Sequence, residues 1–172
     1  AYECIEQMPQ IDFVFCPVGA GTVLLGMHAG LSELCAVHGN KRMPRLVAVQ
    51  ATGYSPVCEA LGMVKPANGP AHLADGIAIA SPPRKDEMVA AVNSTRGFGV
   101  VVTDAEIRVA LTWLTNRGYV VEPTSAVPLA ALLCCIRDGR VPRGSQVLMP
   151  LTGTGMKVLA ELEAVVPAGR ES

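Results

Sequence analysis

The sequence predicts a three-layer α/β fold: a mostly parallel sheet with helices on both faces. Three observations point there. Short continuous apolar runs, such as Ile11-Asp-Phe-Val-Phe-Cys16 and Leu46-Val-Ala-Val-Gln50, read as strands buried on both sides. Helical periodicity fills the stretches between them, and glycine or proline punctuates the junctions. Such βα alternation packs as a parallel sheet with right-handed crossovers.

In chain order, Ala1 to Gln7 reads as the tail of a helix, and Pro9 leads into the first strand, Ile11–Cys16. After the turn at Gly19 and Gly21, apolar residues from Val23 to about Val37 recur at helical spacing, and Gly39-Asn40 closes that helix. Pro44 precedes the strand Leu46–Gln50, Ser55 to Leu61 is a short helix, and Lys65 to Pro70 is a loop. Ala74-Asp-Gly-Ile-Ala-Ile79 is followed by a break at Ser81-Pro-Pro83, a helix over Lys85–Asn93 and a strand over Gly99–Val102. Thr103-Asp-Ala-Glu106 is a capping box that opens a helix to about Asn116, ended by Gly118. Tyr119-Val-Val121 is expected as another short strand, with an apolar helix from Ala126 to Ile136 behind Glu122-Pro-Thr-Ser125. Gln146–Met149 is the expected last strand, Met156–Val165 the last helix, and 167–172 a frayed tail, leaving 1–166 as one α/β domain.

A chain of 172 residues can bury a full core, about 70 % of its unfolded surface. The net charge of -1 argues against nucleic acid as partner, and no apolar run approaches the ~20 residues of a membrane span. Cytoplasmic residence is the expectation. The six cysteines form no CxxC pair and read as buried hydrophobes, and the three histidines lack metal-ligand spacing.

Function is expected where strands end in unusual chemistry, because ligands of such sheets bind at the carboxyl ends of strands. Two strand ends qualify: Pro17-Val-Gly-Ala-Gly-Thr22 and Leu151-Thr-Gly-Thr-Gly155. Gly19-Ala20-Gly21-Thr22 precedes a helix whose first amides lack acceptors. It is either a plain strand–helix turn or a phosphate cradle. The hydroxyls of Leu151-Thr-Gly-Thr-Gly155 either cap the next helix or bond a ring nitrogen or anion. Glu122, in Glu122-Pro-Thr-Ser125, either favours a helix dipole or brings a carboxylate to a third strand end.

Taken in order, Pro17-Val-Gly-Ala-Gly, Val49-Gln-Ala, Ala74-Asp-Gly-Ile-Ala, Val121-Glu-Pro-Thr-Ser-Ala126 and Leu151-Thr-Gly-Thr-Gly-Met-Lys157 resemble the C-terminal half of fold-type II pyridoxal-phosphate enzymes. The chain resembles threonine synthase, with threonine dehydratase as a relative, and the likeness runs from Asp12 to about Lys157. This implies the large-domain part of the tryptophan synthase beta-like fold, pyridoxal 5'-phosphate as cofactor, a small amino-acid substrate and a homodimer. Carried over by position, it puts the phosphate loop on Gly19, Ala20, Gly21 and Thr22, Thr152 opposite the pyridine nitrogen, and Glu122 near the ring. A hydroxyl there does not enforce a protonated ring, which suits replacement and elimination at the β- and γ-carbons. Gln50, Ala51 and Asp75-Gly76 match positions read as structural. The chain departs from the pattern at Thr22, where many members have Gly, and at Val23, where threonine synthases commonly have Asn.

The family's Schiff-base lysine lies well before the glycine loop, in a Ser-x-Lys setting. Lys41, Lys65, Lys85 and Lys157 all follow the loop, and none has that setting. The expectation is therefore the C-terminal part of a longer enzyme, inactive without its N-terminal half. A dehydratase-type enzyme is the alternative within the family. A non-catalytic module for phosphate-bearing ligands is the alternative outside it. A dinucleotide-dependent dehydrogenase is disfavoured, since GxGxxG is absent and Gln50 ends the second strand where an acid is needed.

Overall fold

The computed structural model describes residues 1–8, 10–38, 42–63, 71–159 and 162. The expected turn at Gly39-Asn40, the loop Lys65–Pro70 and the tail 167–172 lie outside them. Four strands form one sheet: β1 (Phe13–Pro17), β2 (Arg45–Ala51), β3 (Phe98–Val102) and β4 (Val147–Leu148). Their order is β3-β2-β1-β4, and every pairing is parallel, with Phe13 of β1 opposite both Arg45 and Val147. All five residues of β1 are buried, as are all of β2 after Arg45, which is why both read as unbroken apolar runs.

Alternate side chains of these strands feed two cores. Val14, Cys16, Leu46 and Ala48 face α1 (Tyr2–Gln7), α2 (Thr22–His38), α3 (Pro56–Ala60) and α4 (Lys85–Ser94) through Ile5, Leu24, Leu31, Val57, Met88 and Val92. Phe13, Phe15, Val47, Val49, Val100 and Val102 face α5 (Asp104–Thr115) and α6 (Pro123–Arg137). The expected three-layer α/β class is therefore the observed one. The first residues pack onto α2 at Gly30, where a Cβ would stand 2.7 Å from that of Ala1.

The capping box forms as expected. Thr103 Oγ1 accepts from Glu106 N at 3.3 Å, and a Glu106 carboxylate oxygen accepts from Thr103 N at 2.8 Å. The other oxygen accepts from the Cys134 thiol at 3.1 Å, which ties α5 to α6. Burial alone would raise the Glu106 carboxyl, but the Thr103 N–H, the Cys134 thiol and the Thr103 hydroxyl outweigh it and lower it below 4.5. Burial and the facing carboxylate push the Cys134 thiol up to about 11. Because the folded carboxyl binds its proton more weakly than the unfolded one, its contribution is complete above 4.5 and lost as pH falls through the lower folded value. Glu106→Gln is expected to cost about 1 kcal/mol at pH 7. In urea titrations the gap to wild type should close toward pH 3, and a gap independent of pH would refute the assignment.

Two expected strands differ. Tyr119–Val121 does not join the sheet. It runs antiparallel to the loop after β4, with a bridge between Val121 and Thr154, Gly155 N donating to Val120 O and Glu122 N to Gly153 O. The last strand is shorter than Gln146–Met149, pairing only Val147 and Leu148 with Phe13 and Val14, and Pro150 has no N–H with which to extend the ladder. Where the helix Met156–Val165 was expected, a 3-10 turn spans Gly155–Lys157, and much of the remainder lies outside the described residues. Among the described residues no helix is long and apolar enough to cross a membrane.

Candidate functional site

The sheet order creates one special crevice. The chain leaves β1 into α2 on one face. After β4 it turns to the other face, where Val158 and Leu162 pack with the α5–α6 core. Adjacent parallel strands whose exits diverge to opposite faces leave a gap at their carboxyl ends. Both glycine turns of the sequence open onto this gap.

At the first turn, Gly19 and Gly21 are buried, whereas Ala20 and Thr22 are exposed. Gly21 has φ 92, and a Cβ there would run into the Met88 side chain, 2.9 Å from its Cγ, so only glycine fits. Among the described residues no oxygen accepts from the N–H groups of Gly19, Ala20 or Gly21. These donors stand at the N-terminus of the 17-residue α2, where the helix dipole favours negative charge.

Beneath the turn lies the 3-10 segment Asp75–Ile77. A Cβ on Gly19 would be 3.1 Å from Ile77 Cα, and one on Gly76 would be 2.9 Å from Thr124 Oγ1. The chain of close approaches thus continues from the glycine turn through Gly76 to the first turn of α6. Gln50, read from sequence as structural, is fully buried and braces the approach to the turn. Its Nε2 donates to Val18 O at 3.2 Å, and its Oε1 accepts from Val57 N at 2.9 Å and Cys58 N at 3.1 Å.

The second turn is built by the 120–122 segment that fails to become a strand. Pairing with 153–155 lays the half-buried Glu122 carboxylate over Gly153, where any Cβ would collide with it. Ser125 clamps the same turn: its Oγ accepts from Gly153 N at 2.8 Å, donates to Gly153 O at 3.2 Å, and lies 3.3 Å from Thr152 Oγ1. Thr152 itself is exposed, held by its hydroxyl neighbour. Ser125 belongs to the Glu122–Ser125 motif, but its clamping role is not legible in that motif, because its partners lie 27 and 28 residues ahead. So the structure brings Glu122 and Thr152 together on the turn after β4, and sets Gly19, Ala20, Gly21 and Thr22 on the turn after the neighbouring strand β1.

A doubly wound sheet with N–H donors at a helix N-terminus and hydroxyls on the adjacent strand's turn defines a protein that holds a phosphate-bearing cofactor or nucleotide. Residues 1–153 match the family of pyridoxal-phosphate dependent enzymes, and the chain belongs to it. It is 34 % identical over 156 residues to the threonine synthase of Mycobacterium leprae, covering 88 % of this chain and 42 % of that protein. With the threonine synthase of Mycobacterium tuberculosis it shares 33 % over 173 residues, 97 % of this chain and 47 % of the relative. The chain therefore spans less than half the length of these curated relatives. In fold it is similar to maize serine racemase (TM-score 0.70, 19 % identity, 95 % of this chain and 48 % of that one). It is also similar to the processed form of threonine deaminase isoform 2 from Solanum lycopersicum (TM-score 0.71, 20 % identity, 95 % and 44 %).

The family's cofactor is pyridoxal phosphate. The residues present fit it: the free amides of the first turn suit a dianionic phosphate, and the hydroxyls of the second suit a ring nitrogen. Of the lysines, Lys157 sits exposed in the 3-10 turn and Lys85 exposed at the start of α4, while Lys41 and Lys65 lie outside the described residues.

Proposed function

We propose that this chain carries the cofactor-holding part of a pyridoxal-phosphate dependent lyase of the threonine synthase kind, acting on O-phosphohomoserine, with residues 1–166 as one α/β domain. What supports this reading most is the glycine turn after β1, whose Gly19, Ala20 and Gly21 N–H groups have no acceptor among the described residues, at the carboxyl end of the strand that neighbours β4. In this reading Gly19, Ala20, Gly21 and Thr22 hold the phosphate through backbone N–H groups and the Thr22 hydroxyl. Thr152 offers a neutral hydroxyl to the pyridine nitrogen, with Ser125 fixing its place, and Glu122 borders the ring. When bound, the cofactor supplies an electron sink for a carbanion at the substrate's α-carbon. The lysine that binds the cofactor and moves the α-proton is supplied by another segment, since Lys41, Lys65, Lys85 and Lys157 all follow the loop.

Thermal melts of the 172-residue chain test this. At a hundredfold excess over Kd, pyridoxal phosphate is expected to raise Tm by about 5–10 °C, while NAD and ATP leave it unchanged. An equal or larger response to ATP would instead favour a non-catalytic phosphate-binding module. The chain alone is expected to release no phosphate from O-phosphohomoserine, and turnover by it would overturn the assignment of the lysine elsewhere.

A further inference from the structure

The opposite edge of the sheet carries chemistry that the cofactor crevice does not use. At the start of β2 and the α4–β3 turn, a cavity of about 470 Å³ is lined by Arg42, Met43, Arg45, Ser94, Thr95 and Arg96. Three arginines line it, and among the described residues no acidic one does. Among the described residues none of the three forms an ion pair; those pairs fall at Arg84–Glu87, Arg137–Asp138 and Arg140–Asp138. The Asp12 carboxylate, in the segment beside Arg45, accepts from Gln146 N at 2.9 Å, and Asp138 pairs with Arg137 and Arg140.

Two of the arginines are held in place. Arg45 lies over both Phe13 and Phe98, 5.3 Å from each ring centroid, and its Nε donates to Arg96 O at 2.8 Å. That leaves its two terminal nitrogens without an acceptor among the described residues. Arg140, paired with Asp138, approaches the same Phe98 ring at 5.4 Å. Arg96 is the described non-glycine residue with a left-handed backbone, at φ 55. The next residue, Gly97, passes so close to the Leu46 carbonyl that no Cβ fits, so the turn is forced. Glycine or asparagine would sit at position 96 without strain, yet the sequence places a long cation there. Strain retained at a position facing a cavity points to use of the side chain.

We propose that this cavity is an anion site for a compact diphosphate or triphosphate group, separate from the cofactor crevice. The planar forks of three arginines match phosphate oxygens in pairs, and several negative charges are needed to satisfy them. The cavity has the size of a small-molecule pocket. It lies at the far end of β2 from Gln50, about 17 Å away by strand length.

Inorganic pyrophosphate at fixed ionic strength is the probe, followed through the backbone amide NMR resonances of the chain. Saturable shifts are expected at Arg45, Leu46 and Ser94 to Gly97. Arg96→Gly relieves the left-handed backbone, so its Tm should be no lower than wild type. Its affinity for pyrophosphate should nonetheless fall about tenfold, as should that of Arg42→Gln. Unchanged affinity in Arg96→Gly would overturn the proposal. So would shifts confined to Gly19–Val23, which would put the anion in the glycine turn, or shifts that never saturate.

Discussion

Gln50→Leu is expected to destabilise the chain by about 3–5 kcal/mol, a large part of the stability of a domain this size. The side chain is fully buried and serves three backbone groups: Val18 O, Val57 N and Cys58 N. Leucine matches its volume closely, so no cavity accounts for the loss; three polar groups sealed from water lose their partner at once. The same change releases the carbonyl of Val18, the residue directly before the glycine turn, though its N–H still donates to Val49 O, so the response of Tm to pyridoxal phosphate should shrink as well. Gln50→Glu separates the two ends of the clamp. Its carboxylate still accepts from Val57 and Cys58, but it donates to Val18 O only when protonated. Burial raises such a carboxyl, so the folded state binds the proton more tightly than the unfolded one. The Gln50→Glu deficit should therefore shrink as pH falls from 7 to 5 in urea titrations. A Gln50→Leu protein within about 1 kcal/mol of wild type would show that water replaces the clamp.

Gln50 also marks the boundary of what the sequence discloses. Its place at the end of the second strand disfavoured a dinucleotide site, which needs an acid there, but its bonds run to residues whose proximity only the folded sheet creates. Local signals fared well: the capping box at Thr103, the glycine turn into α2 and the buried runs of β1, β2 and β3 depend on neighbours within a few residues. Tyr119-Val-Val121 shows why others failed. An apolar triplet has the same pattern whether it pairs with the sheet or with a loop, and here the partner is the loop at 153–155. That misread segment is what lays Glu122 over Gly153, so the site's second half was legible as residue types but not as an arrangement. The same holds for Gly76, whose closeness to both Gly19 and Thr124 makes it the floor between the turns.

Gly21→Ala is expected to cost about 2–4 kcal/mol and to weaken pyridoxal phosphate binding about a hundredfold. Two separable causes act. At φ 92 an L-residue is strained, and its Cβ meets the side chain of Met88, which is fully buried in the α1–α4 core. Methionine is adaptable, so the packing part is relieved by making room for the new methyl. Gly21→Ala in a Met88→Ala background should then cost less than in wild type, a favourable coupling read from a double-mutant cycle. The backbone part has no such remedy. Relaxing to negative φ swings the peptide at Gly21 and moves its N–H away from those of Gly19 and Ala20, while Leu25 N–H still pulls on the Gly21 carbonyl at 2.9 Å. The double variant should therefore regain stability without regaining affinity. Recovery of both together would mean that the turn serves packing alone, and the phosphate would have to be held by other groups.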